Sequence, residues 1–263
     1  MLFISYLLLG IITGTLAGLL GIGGGLIIVP TLALLFSFQQ FNPEISTHLA
    51  IGTSLACMIF TTGSATVTHF YKKAISWPVL FFMTIGIICG SFAGGLITNS
   101  LNGKWLKIFL GCFAWGMAIK MFKERHVTST TGKMPAKPFL ILFGVLSSCI
   151  STMLGIGGAI FNVPAFCRFG LTIQHAVATA SACSLPVAVI GTLTSIFVEK
   201  STISFPEYTK GYVYWPAFLG IIIGSIPCAR IGAILAHRLP KQYIRIPFAI
   251  LLIIVGGELI LSS

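Results

Sequence analysis

Four glycines crowd into five positions at Gly21-Ile22-Gly23-Gly24-Gly25, ahead of Leu26-Ile27-Ile28-Val29-Pro30. The chain says this again at Gly155-Ile156-Gly157-Gly158-Ala159-Ile160-Phe161-Asn162-Val163-Pro164. Both copies lie in long apolar sequence. There, glycine frees the backbone to turn sharply and uncovers N–H groups that hydrocarbon cannot satisfy. Such a break persists only where it faces protein, water or a ligand. A helix is expected to begin after each break, at Leu26 and at Ile160. Its first N–H groups lack intrahelical partners, and its dipole presents roughly half a positive charge. Two such ends approaching from opposite sides would hold a small anion without any charged side chain. The candidate binding residues are therefore Gly21, Gly23, Gly24, Gly25, Gly155, Gly157 and Gly158.

Other groups could join them. Thr53, Ser54, Thr179 and Ser181 occupy matching places early in the span that follows each break. Their hydroxyls would donate to an anion, coordinate a sodium ion with backbone carbonyls, or simply bond their own helical turn. Asn162 interrupts the repeat, standing where Ile28 stands in the first copy, and a lone amide at that depth favours function. Arg230 either snorkels to the surface or faces the pathway as an anion partner. Cys57 and Cys183 also correspond; we read them as small core residues, with a role toward sulfur oxyanions left open. His48, His69 and His175 sit near span ends without metal-ligand spacing. The five acids, Glu44, Glu124, Glu199, Glu207 and Glu258, all fall in or near loops and ends, so no buried carboxylate is expected to relay protons.

These groups must be carried by membrane helices. The chain has 263 residues, 56% hydrophobic and 8% charged, with mean hydropathy +1.00, against roughly a quarter charged in soluble domains. The formal charge of +11 sits between apolar spans, which is a topology signal and not a nucleic-acid stripe. Seven cysteines without a C-x-x-C pair argue against a disulfide framework. The apolar start is read as a retained segment and not a cleaved signal peptide.

Spans are expected over Leu2 to Leu20, Leu26 to Phe38 (shorter), His48 to Phe70, Trp77 to Thr98 and Trp105 to Met121. The programme restarts with Phe139 to Leu154, Ala159 to Phe169 and Ala176 to Val198, and Trp215-Pro216 repeats Trp77-Pro78. The interval between matching residues varies with loop length, as expected of an old duplication. Residues 1–122 form the first repeat, 123–137 a basic cytoplasmic linker and 138–263 the second. Glycine every fourth residue (Gly10, Gly14, Gly18; Gly86, Gly90, Gly94) is read as helix packing.

The positive-inside rule places Lys72-Lys73, the linker and the Arg230 to Arg245 region in the cytoplasm. Each glycine run must then fold its segment back on itself. The expected fold is an all-α integral membrane protein of two inverted repeats, each a broken-helix hairpin plus three transmembrane helices, about eight membrane segments in all. Continuous kinked helices would instead make the halves parallel, with four crossings each. Lys104 and Lys107 fall outside in the inverted arrangement.

No G-x-x-x-x-G-K-[ST] is present, and Leu26 stands where a G-x-G-x-x-G fingerprint from Gly21 needs glycine. H-E-x-x-H, G-x-S-x-G and paired carboxylates are also missing, so no enzyme is expected. The repeated Leu-Gly-Ile-Gly-Gly with Val-Pro resembles the TauE/SafE family of membrane permeases, the sulfite-exporter type, over nearly the whole chain. The resemblance implies a secondary transporter of sulfite, a sulfonate or another organosulfur anion, in a bacterial inner membrane; the loop charges and the span count put both termini outside. The physics alone implies only a small anionic substrate; the reading adopted is a permease of inverted repeats in a lipid bilayer that moves it by alternating access. The alternatives are an anion channel and a non-transport membrane factor of sulfur metabolism. No cofactor, metal or nucleic acid is expected; sodium or a proton as coupling ion, and the oligomeric state, stay open.

Overall fold

A computed structural model describes residues 2–20, 24–123, 132, 134–197, 206–235, 250, 252–254, 256–258 and 261. Among them run α1 (Leu2–Leu20), α2 (Gly25–Phe38), α3 (Pro43–Tyr71), α4 (Trp77–Ser100) and α5 (Gly103–Lys123). After the linker come α6 (Lys137–Met153), α7 (Ala159–Arg168), α8 (Ile173–Phe197), a hairpin of β1 (Thr209–Lys210) and β2 (Val213–Tyr214), and α9 (Trp215–Leu235). Among the described residues three helices, within α3, α4 and α8, are long and apolar enough to cross a membrane by themselves. The apolar surface faces outward, with Leu8, Phe81, Phe92, Ile119, Leu146 and Ile223 exposed, while Thr53, Ser54, Ser148, Ser151, Asn162 and Thr179 are buried. That inversion of the soluble pattern is what hydrocarbon solvent selects.

The glycine stripes set the helix pairs. A Cβ on Gly10 would strike the Ile221 backbone, and one on Gly14 the Ser225 backbone. Contact residues rise together along the two helices, so α1 and α9 run parallel. Gly86 lies against Ile141, Gly90 against Val145 and Gly94 against Cys149, so α4 and α6 are parallel too. Glycine is needed here because the neighbouring backbone occupies the space a side chain would take.

Further contacts decide between hairpin and kinked helix. The Tyr214 N–H donates to Thr53 Oγ1 at 3.0 Å and Phe60 stacks edge-on to Phe218, so α3 runs with α9 and therefore with α1. The Ser76 N–H donates to Thr179 Oγ1 at 2.9 Å and Asn99 Nδ2 to the Thr194 carbonyl at 3.4 Å, so α4 runs with α8. Leu55 meets Gly191 and Leu185 meets Gly63, which sets α3 against α8. Hence α1, α3 and α9 point one way and α4, α6 and α8 the other. For α1 and α3 to agree, α2 must double back; for α6 and α8 to agree, α7 must. Each helix opposes its counterpart in the other half, as inverted repeats require, and continuous kinked helices would have set α1 against α3.

α3 begins at Pro43, five residues before the span expected from hydropathy. Asn42 caps it, its side chain accepting from the Glu44 N–H at 3.0 Å with proline at the first helical position. The β1–β2 hairpin, with Thr209 opposite Tyr214, was not anticipated.

Candidate functional site

The second break forms because α6 ends in a Schellman turn. Gly155 adopts φ +66°, its N–H donates to the Thr152 carbonyl at 3.1 Å, and the Ile156 N–H donates to the Ser151 carbonyl at 2.9 Å. Its own carbonyl accepts from Ser54 Oγ at 2.9 Å, fixing the turn to the middle of α3. At the first break Gly24 caps α2 with φ +81°, a conformation that favours glycine. Gly21 and Gly23 lie outside the described residues.

The two breaks touch. A Cβ on Gly25 would stand 2.7 Å from the Gly155 oxygen, 2.6 Å from Met58 Sδ and 3.1 Å from Ile156 Cα. Gly157 is wedged between Met58 and Ser184. Gly25 and Gly157 therefore make close packing possible between the halves, with Met58 as the shared wedge.

Gly158 differs. Its φ of −56° is open to any residue, so glycine is there for space. A Cβ would stand 3.0 Å from Asn162 Nδ2 and 3.4 Å from Ser151 Oγ. Asn162 is 1% exposed, and neither Oδ1 nor Nδ2 has a hydrogen-bond partner. Thr152 Oγ1, on the last turn of α6, is also buried without a partner. Gly158 O accepts from the Phe161 and Asn162 N–H groups at 3.1 and 2.9 Å. The N–H groups of Ala159 and Ile160 are the first-turn donors for which an α-helix supplies no acceptor. An unpaired buried amide costs about 1–3 kcal/mol, and this one sits one turn inside a helix N-terminus. The arrangement offers amide donors, a hydroxyl and a positive dipole end to a small anion.

The remaining candidates are placed as follows. Thr53 and Thr179 are engaged by the N–H groups that open α9 and α4, one bond mirroring the other across the halves. Ser54 braces Gly155, and Ser181 is buried on α8. Arg230 belongs to α9, but its side chain lies outside the described residues. Cys57 and Cys183 are fully buried free thiols, and Cys57 Sγ lies 4.0 Å from the Phe218 carbonyl. The sequence reading passed over Ser151 and Thr152, because serine and threonine on an apolar helix usually bond their own turn, as Ser151 does with Ser147.

Comparison with known proteins follows the same lines. A family model described as sulfite exporter TauE/SafE matches residues 6–259. A probable membrane transporter protein of Haemophilus influenzae is 31% identical, covering 97% of both chains. One of Methanocaldococcus jannaschii is 30% identical over 95% of this chain and 92% of its own. The Bacillus subtilis probable membrane transporter protein YunE is 25% identical over 98% and 97%. No solved structure matches.

Proposed function

The chain belongs to the sulfite exporter TauE/SafE family and is a membrane transporter, and on that premise we propose that it is a secondary carrier of a small oxyanion bound at the second glycine break. The observation that carries this reading is Asn162, a buried amide with both polar atoms unpaired beside the open start of α7. The anion would be held by the first-turn amides of α7 and by Asn162 Nδ2, the Ser151 hydroxyl being spent on the Ser147 carbonyl. No cationic side chain is needed, which suits a carrier that must also release its guest. An amide offers an acceptor as well as a donor, so the guest it fits best is a small oxyanion that can itself carry a proton, such as sulfite in its hydrogen sulfite form; a sulfonate or another organosulfur anion would use the donors alone. Sodium or a proton would serve as coupling ion.

Orientation follows from charge. Along the alternating helices, Lys72, Lys73, Lys137 and Arg168 share one face, and Lys104, Lys107 and Lys210 with Glu44 and Glu207 share the other. In the sequence, the basic linker and the run Arg238, Lys241 and Arg245 follow helices that end on the first face. The richer face is cytoplasmic by the positive-inside rule, in a bacterial inner membrane, leaving both termini outside. The repeats, residues 1–122 and 138–263 joined by the 123–137 linker, would rock against each other about the touching breaks.

Proteoliposomes loaded with unlabelled sulfite and diluted into labelled sulfite test the proposal. A carrier gives saturable uptake with counterflow, and a panel of sulfonates then ranks by competition. Uptake that rises linearly with concentration and shows no counterflow would mean a channel. No uptake across the panel would exclude the substrate class.

A further inference from the structure

His48 stands on α3 at the face away from the basic loops, 5% exposed, and both its ring nitrogens meet backbone carbonyls. Nδ1 lies 3.0 Å from the Glu44 oxygen and Nε2 lies 3.0 Å from the Thr98 oxygen. A carbonyl only accepts, so each bond requires a proton on the nitrogen, and a neutral imidazole carries one proton for the two. Only the imidazolium makes both. Two surroundings match that charged form. Thr98 lies in the last turn of α4, where the helix dipole is negative. The Tyr212 ring lies tilted against the imidazole with centroids 5.2 Å apart. Glu44, Ile45, Leu101, Asn102, Gly103 and Tyr212 line a small pocket beside the ring, and the Glu44 side chain is exposed. The cations of the adjoining α5 are Lys104, exposed, and Lys107, buried one turn further in; they oppose it. On the hairpin side, the charged residues are Glu207 and Lys210, both exposed.

The pocket is also a junction. It gathers the start of α3, the turn from α4 into α5 and the hairpin that leads into α9, and so joins the first half to the second. We propose that His48 is a proton-binding site whose charged form latches this face of the transporter shut and whose neutral form lets it part. Histidine titrates between about pH 5 and 8. The Glu44 bond lies within α3, so the latch proper is the Nε2–Thr98 bond. It is always made by the charged form and given up by the neutral form when its single proton sits on Nδ1. This places a proton-sensitive gate at one mouth, separate from the anion site at the break.

The wild-type protein in bilayers, with its histidines labelled by nitrogen-15, gives the first readout, His48 being assigned by difference against His48→Gln. Both ring nitrogens should carry protons at pH 5.5 and one should lose its proton by pH 8. A ring holding a single proton across that range overturns the site. The second readout is modification of Asn102→Cys by a membrane-impermeant thiol reagent, taken above the background of the seven native cysteines. Each rate is divided by that of Asn102→Cys in His48→Gln at the same pH, which cancels the thiol's own titration. The ratio should be roughly ten-fold below one at pH 5.5 and near one at pH 8, the factor expected for a charge-assisted hydrogen bond. A ratio that does not change with pH overturns the gate even if the ring titrates.

Discussion

Replacing Asn162 with leucine separates a binding residue from a packing one, because the two roles predict opposite pairs of results. In the ligand-free protein Asn162 buries an amide with no partner on either atom. Leucine of similar size removes that burden, so the empty protein should gain about 1–3 kcal/mol, the cost of an unsatisfied buried polar group. Its thermal midpoint in detergent should rise accordingly. The same change removes a hydrogen bond to a charged guest, about 1.5–3 kcal/mol, which lowers sulfite counterflow roughly 10- to 150-fold. The assay is paired: thermal unfolding of the purified variant, and initial uptake into proteoliposomes at matched protein density. A more stable protein that transports poorly supports the site. A variant that transports like the parent refutes the reasoning, whatever its stability. So does one that is destabilised and inactive, because the amide would then have a structural partner.

Other expectations concern the frame. An added Cβ at Gly86 meets the Ile141 carbonyl and, at 2.9 Å, the Val145 nitrogen, whereas at Gly116 it meets nothing within 4 Å. Gly86→Ala should therefore cost about 1–3 kcal/mol of stability and Gly116→Ala should be neutral or slightly stabilising, both read by thermal unfolding. Thr53→Val and Thr179→Val each remove one hydrogen bond to the start of a helix. They should cost about 1 kcal/mol apiece and to similar extents; one silent and the other fully inactive would contradict the paired structural role. Impermeant labelling of single cysteines should find residues 1 and 263 on the outer face and residue 130 on the inner. A cytoplasmic C-terminus would contradict the assigned orientation.

How legible this was depends on the residue. The glycine runs announced themselves because one residue type carries both the turn and the repeat, and the helix directions then followed from loop charges. The same glycines hid a difference that only packing reveals. Gly25 lets two backbones approach and Gly157 makes room for the Met58 and Ser184 side chains, while Gly158 clears space in front of Asn162. Spacing alone makes the three equivalent. Thr53 and Thr179 were found as a symmetric pair, but their partners are backbone N–H groups more than a hundred residues away, which no local pattern encodes. The early start of α3 was missed because its signal, Asn42-Pro43-Glu44, is a polar cap and not part of the apolar span. Asn162 was visible as the residue that breaks the repeat. His48 looked like one more polar group near a span end until its two carbonyl neighbours were in view.

The location of the anion can be seen directly. Selenite is the heavier analogue of sulfite, and a crystal structure of the protein soaked with it would mark the site by anomalous scattering. The account predicts a selenium peak within hydrogen-bonding reach of Asn162 Nδ2, in front of Gly158 and the first turn of α7. A peak elsewhere in the protein, with that space left empty, would contradict it.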